Sequence, residues 1–173
     1  MVTAIAVKYT EARILAEKLT DLIFIKLGKK TVQSRTATTP VKGGRIESFG
    51  DFLTSEISKK PKELNEDILR HLIYHYGSEY HNLLDYLNED PDNGRRVSDT
   101  TRVIKAEIIH ATRQEMAQKM ADVVFRRTEL GTLGHPGEEC LSECAVIMAG
   151  ELGWDEARTQ KELEEVKAVF PNG

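Results

Sequence analysis

Residues 104–134, IKAEIIHATRQEMAQKMADVVFRRTELGTLG, carry the clearest helical pattern of the chain. Their apolar residues recur at offsets of three and four, and this spacing places them on one stripe of a helix. The stripe consists of Ile108, Ile109, Met116, Ala117, Met120, Val123 and Val124. Because polar and charged residues occupy the opposite face, the stretch predicts a central helix with one buried and one solvent-facing side.

The polar face of this predicted helix carries two acid–base pairs. Glu115 precedes Lys119 and Asp122 precedes Arg126 by four residues, which is the favourable order for an ion pair on a helix. Arg126 and Arg127 close the last turn, where positive charge suits the negative end of a helix. That electrostatic role explains both arginines, and binding of a phosphate or an acidic partner is the alternative for them.

Composition is that of an ordinary soluble domain. The chain has 173 residues, enough for one domain with a core of its own, and a formal net charge of -4. This weak and balanced charge argues against nucleic acid as a partner. No apolar run reaches the ~20 residues of a membrane-spanning helix, and no secretory signal is recognisable. Cys140 and Cys144 are the only cysteines, so a reducing cytoplasm is the expected compartment.

The N-terminal residues Val2–Val7 are mostly apolar and partly β-branched, which predicts a short buried strand. No later segment offers a partner strand, and a buried strand without a partner leaves its backbone groups unpaired. We therefore expect its sheet to lie outside this chain. A frayed tail is the alternative that the sequence leaves open.

A helix is predicted from about Glu11 to Leu27, with Thr10 as its N-cap and Gly28 just past its end. Its apolar residues form a broad face that we expect to be core: Ile14, Leu15, Leu19, Leu22, Ile23, Ile25 and Leu27. The following residues 29–45 predict a long irregular connector. The Gly43-Gly44 pair within it favours a flexible turn over a phosphate site, because no strand–loop–helix fingerprint surrounds it.

Three short helices and a helical hairpin are predicted for the remainder. Apolar spacing places the short helices around residues 49–57, 64–73 and 80–87. In the hairpin, Gly153 is expected to end the first helix and Asp155 to cap the second, with Trp154 packed between the two. The sequence thus predicts an all-α fold, an irregular bundle of about seven helices with one short N-terminal strand.

The histidines and cysteines are candidate metal ligands by residue type. His71 and His75 are four residues apart on one helix face, and His81 follows nearby. A zincin site needs a glutamate between such histidines and a third ligand, but Leu72-Ile73-Tyr74 separates these two, so no metal site is predicted. Cys140 and Cys144, with His135 nearby, are likewise expected to be small core residues.

Acidic residues offer candidate acid–base groups, but nothing in the sequence supplies a nucleophile beside them. These residues are Glu107 with His110, and Glu138, Glu139 and Glu143. We expect them on solvated helix faces.

Several of these segments also resemble one known family. The runs Ala106-Glu107, Arg113–Met116 and Asp122–Gly131 are similar to a signature of the helical C-terminal domain of FAD-dependent glycerol-3-phosphate dehydrogenases. "FRRT-x-LG" is its most specific piece, and Gly150–Asp155 resembles the closing helix pair. The turn Lys8-Tyr9-Thr10 resembles the family's passage from the last strand of the FAD domain into a helix, although Ala6-Val7 replaces the usual glycine.

This resemblance implies a division of the chain into residues 1–12 (end of the FAD-binding domain), 13–45 (first helix and linker) and 46–173 (C-terminal helical domain). In the complete enzyme, glycerol 3-phosphate is oxidised to dihydroxyacetone phosphate with FAD as cofactor. Lys8, Tyr9 and Thr10 are then the residues expected to approach the flavin.

For this chain alone the resemblance implies no bound FAD and no catalysis. Its expected partner is a flavin-binding domain, absent from this chain or present as a separate subunit. Arg126 and Arg127 are candidate interaction residues. The resemblance is also compatible with peripheral attachment of the complete enzyme at the inner face of a membrane. Two other classes remain open: a stand-alone helical interaction subunit that docks a flavoprotein, and a small helical protein that binds metal or ligand through its histidines.

Overall fold

The computed structural model describes residues 2–5, 8–62 and 64–170, which divide into two compact units, Met1–Lys42 and Gly43–Gly173. Nearly all regular structure is helical, so the all-α prediction is confirmed. The α-helices of the described residues are α1 (Ala12–Lys26), α2 (Phe49–Ser58), α3 (Glu66–Tyr76), α4 (His81–Glu89), α5 (Lys105–Arg113), α6 (Met120–Asp122), α7 (Glu138–Leu152) and α8 (Glu156–Lys167). None of them is long and apolar enough to cross a membrane.

The first unit contains α1, preceded by a 3-10 turn over Tyr9–Glu11. Gly28 follows α1 with a φ of 65°, a left-handed conformation that favours glycine. None of this unit's described residues is buried, and Ile25 and Leu27 are 64% and 63% exposed. The prediction of an α1 core face is therefore wrong for this chain, because a single α-helix has nothing within its own unit to pack against.

Two details predicted for the N-terminus differ in the structure. Val2–Ile5 form no strand, and Ala6 and Val7 lie outside the described residues. Without a neighbouring strand, these backbone groups have no ladder to join. Thr10 is not an N-cap, because it lies inside the 3-10 turn, whose own N-cap position is Lys8 with extended backbone angles. A side chain caps a helix only from that extended position before the first turn.

The second unit has two apolar clusters that meet at α5. One cluster packs α3 and α4 against α5; its buried members are Leu64, Ile68, Leu69, Leu72, Ile73, Tyr80, Leu83, Tyr86, Ile104, Ala106 and Ile109. The other packs α6, α7 and α8 against the opposite side of α5; its members include Ile108, Ala111, Met120, Val123, Val124, Leu141, Cys144, Met148 and Val166. α5 therefore runs through the middle of this unit.

The predicted central helix of residues 104–134 is broken after α5. Met116 adopts a φ of 61°, and the Ala117 N–H donates back to the Ala111 carbonyl at 3.0 Å. After the break, the Asp122 carboxylate accepts from the N–H groups of Gln118 and Lys119 at 3.1 and 3.0 Å. This cap starts α6, which continues as a π-helical turn over Val123–Arg127.

The break also changes the predicted ion pairs. Lys119 pairs with Glu165 at 3.0 Å instead of with Glu115, because residues 114–119 are not helical. The Asp122–Arg126 pair forms as predicted, since it lies beyond the break.

The C-terminal hairpin matches its prediction. Gly153 ends α7 with a left-handed backbone, φ 67° and ψ 36°. The Asp155 carboxylate accepts from the Arg158 N–H at 2.7 Å and caps α8. Trp154 is half-buried against the cluster formed by α6, α7 and α8. Local cap chemistry was therefore sufficient to place both helix ends.

Candidate functional site

Glu107 is the centre of a buried polar cluster. It lies in the first turn of α5 and is only 1% exposed. Its carboxylate accepts from the Ile104 N–H at 2.9 Å, from the Tyr76 hydroxyl at 3.2 Å, and faces His71 Nε2 at 3.2 Å from both oxygens. The first of these contacts is half of a capping box, in which a glutamate at the third helical position reaches back to the N-cap backbone. A charge this deep is stable only when several donors surround it.

His71 links this carboxylate to a second one. The histidine is buried on the inner face of α3. Its Nε2 faces Glu107, and its Nδ1 lies 3.6 Å from Glu129 Oε1. An ionised carboxylate only accepts hydrogen bonds, so Nε2 carries the proton that joins His71 to Glu107. The opposite nitrogen then faces the carboxylate of Glu129.

His75 and Glu129 form the outer part of the cluster. His75 lies one helical turn after His71, and the two ring centroids are 4.3 Å apart. His75 Nε2 is 3.4 Å from Glu129 Oε2, and both side chains are partly exposed. Glu129 follows the π-helical turn, which the Thr128 hydroxyl closes by donating to the Val123 carbonyl at 2.8 Å. The π turn thus presents Glu129 to α3.

A pocket of about 290 Å³ opens beside this outer part. Its lining residues are Asp67, Arg70, His71, Tyr74, His75, Arg102 and Glu129. Arg70 pairs with Glu66 at 2.8 Å, whereas Arg102 Nε lies 4.0 Å from Asp67, a carboxylate that also pairs with Arg96. The pocket therefore offers imidazole and carboxylate groups to solvent, with the exposed Arg102 in its lining.

The negative charge of Glu107 affects the pKa of the neighbouring Tyr76 hydroxyl. The pKa of the Tyr76 hydroxyl is raised well above its ordinary value, first by burial and then by the nearby Glu107 carboxylate. His110, one turn further along α5, is buried between the rings of Tyr76 and Tyr86. Tyr76 therefore remains a protonated donor to Glu107.

The sequence-based expectations for these residues were partly wrong. Glu107 and His110 are buried rather than on a solvated face, whereas Glu138 and Glu139 are exposed as expected. Glu129 is the variable position of the FRRT-x-LG run, and the sequence gives no local signal for its contact with the histidines. One signal was available for Glu107: a glutamate three residues after Ile104 at a helix start fits the capping-box spacing.

The other candidate residues lie elsewhere. Lys8, Tyr9 and Thr10 are exposed in the first unit, and Tyr9 is fully exposed. Arg126 pairs with Asp122, and Arg127 donates to the Glu115 carbonyl at 2.9 Å. Arg127 therefore holds the end of the π turn against the loop that follows α5.

The two cysteines are buried side by side on α7. The hydrogen bond between the thiols lowers the pKa of Cys140, and the same contact together with burial raises the pKa of Cys144. His135 lies apart from them, 3.5 Å from Glu138. This arrangement is in accord with the expectation that both cysteines are core residues.

These features define a class of protein: a helical domain with a buried polar cluster and, among its described residues, no strand–glycine loop–helix unit that could cradle a dinucleotide. Comparison with known proteins specifies the class further. A family model described as the C-terminal domain of alpha-glycerophosphate oxidase matches residues 34–159. The chain belongs to this family.

Relatives with known names agree with that assignment. The chain is 24% identical over 165 residues to a glycerol-3-phosphate dehydrogenase of Synechocystis sp., covering 95% of this chain and 30% of the relative. It is 30% identical over 166 residues to a probable mitochondrial glycerol-3-phosphate dehydrogenase of Dictyostelium discoideum, covering 95% of this chain and 25% of that protein. The chain thus spans less than a third of the length of either relative, and the resemblance found in its sequence is confirmed.

Proposed function

We propose that this chain works as the C-terminal helical domain of a FAD-dependent glycerol-3-phosphate dehydrogenase. The complete enzyme would oxidise glycerol 3-phosphate to dihydroxyacetone phosphate, with FAD accepting the hydride and passing electrons to an external acceptor. The flavin would be held by a flavin-binding domain, in the same polypeptide or in a separate subunit. The helical domain itself would be non-catalytic.

One observation of the structure carries this proposal. The first unit has an amphipathic helix but none of its described residues is buried. Its exposed large apolar residues on and just after α1 are Ile14, Leu22, Ile23, Ile25 and Leu27. Of these, Leu22 and Ile23 flank Leu15 and Leu19 on one side of α1. An exposed apolar face of this kind is typical of a surface that is covered by another protein domain. The greater length of the dehydrogenases that match this chain supports a flavin-binding domain as that partner.

The residues of the chain fit the flavin only in part. No described segment forms a phosphate cradle, so we do not expect this chain to hold FAD by itself. Lys8, Tyr9 and Thr10 are the residues that we propose to approach the cofactor from the helical side. Their exposure leaves them available, and the Lys8 ammonium is suited to an anionic flavin or phosphate group. Arg126 and Arg127 are a second candidate contact with the flavin-binding domain, in addition to their contacts within the chain with Asp122 and Glu115.

A flavin titration of the purified chain tests the first part of the proposal. FAD fluorescence should show no saturable binding, and the Lys8→Ala variant should behave identically. Tight binding that is lost in Lys8→Ala would contradict the proposal, because it would show a complete cofactor site within this chain.

A reconstitution experiment tests the second part. The flavin-binding portion of the Synechocystis relative, prepared without its region matching this chain, is mixed with the purified chain. Complex formation is followed by size-exclusion chromatography, and dye reduction by glycerol 3-phosphate reports activity. We expect a complex with restored activity, and Ile23→Asp should weaken its formation at least tenfold because a carboxylate would be buried at the contact.

Val146→Asp is the matched control, because Ile23 and Val146 are both exposed β-branched residues but lie on α1 and α7. This control should form the complex normally. Equal weakening by both variants, or no complex with the unaltered chain, would contradict docking through α1.

We also propose a cytoplasmic location, with peripheral association at the inner face of a membrane for the complete enzyme. Cell fractionation of the complete enzyme with a salt wash tests this. An enzyme that remains in the membrane pellet after the wash, or that is found outside the cell, would contradict peripheral attachment.

A further inference from the structure

We propose that His71, His75 and Glu129 form a binding site for a divalent transition-metal ion of the zinc type. These three side chains come from α3 and from the segment after the π turn, and their potential ligand atoms lie within 4.8 Å of one another. Neither the family assignment nor the proposed function above assigns a metal to them. The inference stands independently of the flavin chemistry.

The distances from the two imidazoles to the Glu129 carboxylate oxygens are close to the ligand–ligand distances of a zinc site. Two ligands bound to one tetrahedral zinc ion at ~2.0–2.1 Å are about 3.3 Å apart. His75 Nε2 lies 3.4 Å from Glu129 Oε2, and His71 Nδ1 lies 3.6 Å from Glu129 Oε1. Small rotations of the partly exposed His75 and Glu129 side chains would therefore bring all three groups around one ion.

Glu107 prepares His71 for this role. Because Glu107 holds the proton on His71 Nε2, the neutral imidazole presents the lone pair of Nδ1 to the pocket. That nitrogen lies 3.6 Å from a carboxylate oxygen of Glu129, so a metal ion placed between the two atoms could be bound by both. A carboxylate behind a ligating histidine is the usual outer partner of a zinc site.

The environment favours the metal ion. The pocket of about 290 Å³ provides an entry path from solvent, and Arg70 in its lining is paired with Glu66. Two histidines and one carboxylate are a ligand set typical of zinc, with a fourth position open to water. The bound ion would tie α3 to the segment that follows the π turn.

Zinc titration of the complete 173-residue chain, first stripped with a chelator, tests the site. Isothermal calorimetry should show one ion bound per chain. His75→Ala and Glu129→Gln should each weaken binding at least tenfold. Both side chains are partly exposed, so these variants should fold, and far-UV circular dichroism verifies it.

His81→Ala is the matched control. His81 also lies 3.4 Å from a glutamate, Glu56, but within the described part of the chain no third histidine, cysteine or carboxylate joins that pair. Zinc affinity should be unchanged in this variant. Zinc affinity that is retained in both His75→Ala and Glu129→Gln, or an absence of saturable binding in the unaltered chain, would overturn the proposal.

Two further measurements identify the ligands. Cobalt(II) in place of zinc should give the visible bands of a four-coordinate nitrogen and oxygen site. A thiolate-to-cobalt charge-transfer band would place the ion at Cys140 and Cys144 and would overturn the assignment. Glu107→Gln alters the hydrogen-bond partner of the proposed ligand His71 and should weaken zinc binding about 10–100-fold. Its amide would favour the other His71 tautomer, in which Nδ1 carries the proton.

Discussion

Glu107 is the residue whose replacement should be most informative about stability. Truncation to alanine removes the acceptor of three donors: the Ile104 N–H, His71 Nε2–H and the Tyr76 hydroxyl. Ile104 and His71 are buried, so water cannot replace the lost contacts without opening the structure. The alanine variant therefore leaves at least two buried donors unpaired and an empty volume between α3 and α5.

The size of the effect follows from these contacts. An unpaired buried donor costs about 1–3 kcal/mol, and breaking a buried charged pair by removing one partner costs about 3–5 kcal/mol. We expect Glu107→Ala to reduce the free energy of unfolding by about 3–5 kcal/mol. Glu107→Gln keeps the shape and one acceptor oxygen for Ile104, and its amide can donate to the Tyr76 oxygen and to Nε2 of the neutral His71 tautomer that is protonated on Nδ1. It should cost only about 1–2 kcal/mol.

The assay is urea unfolding in chelator-containing buffer, so that no metal contributes to the stability. Unfolding is followed by Trp154 fluorescence and by far-UV circular dichroism. Glu139→Ala, a truncation of an exposed glutamate, is the control and should lie within about 0.5 kcal/mol of the unaltered chain. Equal stabilities of the alanine and glutamine variants, or an alanine variant as stable as the control, would refute the reasoning.

Two further predictions concern other parts of the second unit. The pKa of Glu56 is lowered from its ordinary value of 4.5 by hydrogen bonds from Lys59 and Tyr80. The unfolded chain therefore binds this proton more tightly, so the stabilisation is complete above pH 4.5 and is lost as the pH falls below it. In urea titrations at several pH values, Glu56→Gln should lose less of its free energy of unfolding than the unaltered chain as the pH falls. An unchanged dependence of the free energy of unfolding on pH would contradict this prediction. Gly77→Ala should lower stability by at least about 2 kcal/mol, because its Cβ would lie 2.1 Å from the Gly43 carbonyl oxygen. A midpoint of thermal unfolding equal to that of the unaltered chain would contradict that close approach.

Much of the helical fold was predictable, because its signals are local. Apolar periodicity located α2, α3 and α4, and the caps at Gly153 and Asp155 fixed the ends of the hairpin helices. The first unit was less predictable. The α1 pattern indicates an apolar face correctly, but a pattern cannot say whether the partner that covers the face belongs to the same chain. Thr10 failed as a cap for a related reason, since the sequence does not show that a 3-10 turn precedes the helix.

The polar cluster was predictable only in its parts. The spacing of His71 and His75 shows that they share a helix face, and the capping-box spacing hints at Glu107. Neither feature reveals that Glu107 is buried, because its burial depends on α3 packing over the start of α5. Glu129 is separated from His75 by more than fifty residues, so its contact with the histidines is set by tertiary structure alone.

The break between α5 and α6 explains why the site exists. An unbroken helix would hold Glu107 and Glu129 about 33 Å apart, at 1.5 Å for each of the residues between them. In the folded chain both carboxylates instead contact opposite nitrogens of one imidazole, at 3.2 and 3.6 Å. The reversal depends on the left-handed Met116, the Asp122 cap and the π turn. Of the predicted apolar stripe, Met116 at the break is 82% exposed, whereas the other members are buried. Apolar periodicity alone therefore predicted one continuous helix. The break in that helix is what brings the Glu129 carboxylate to His71.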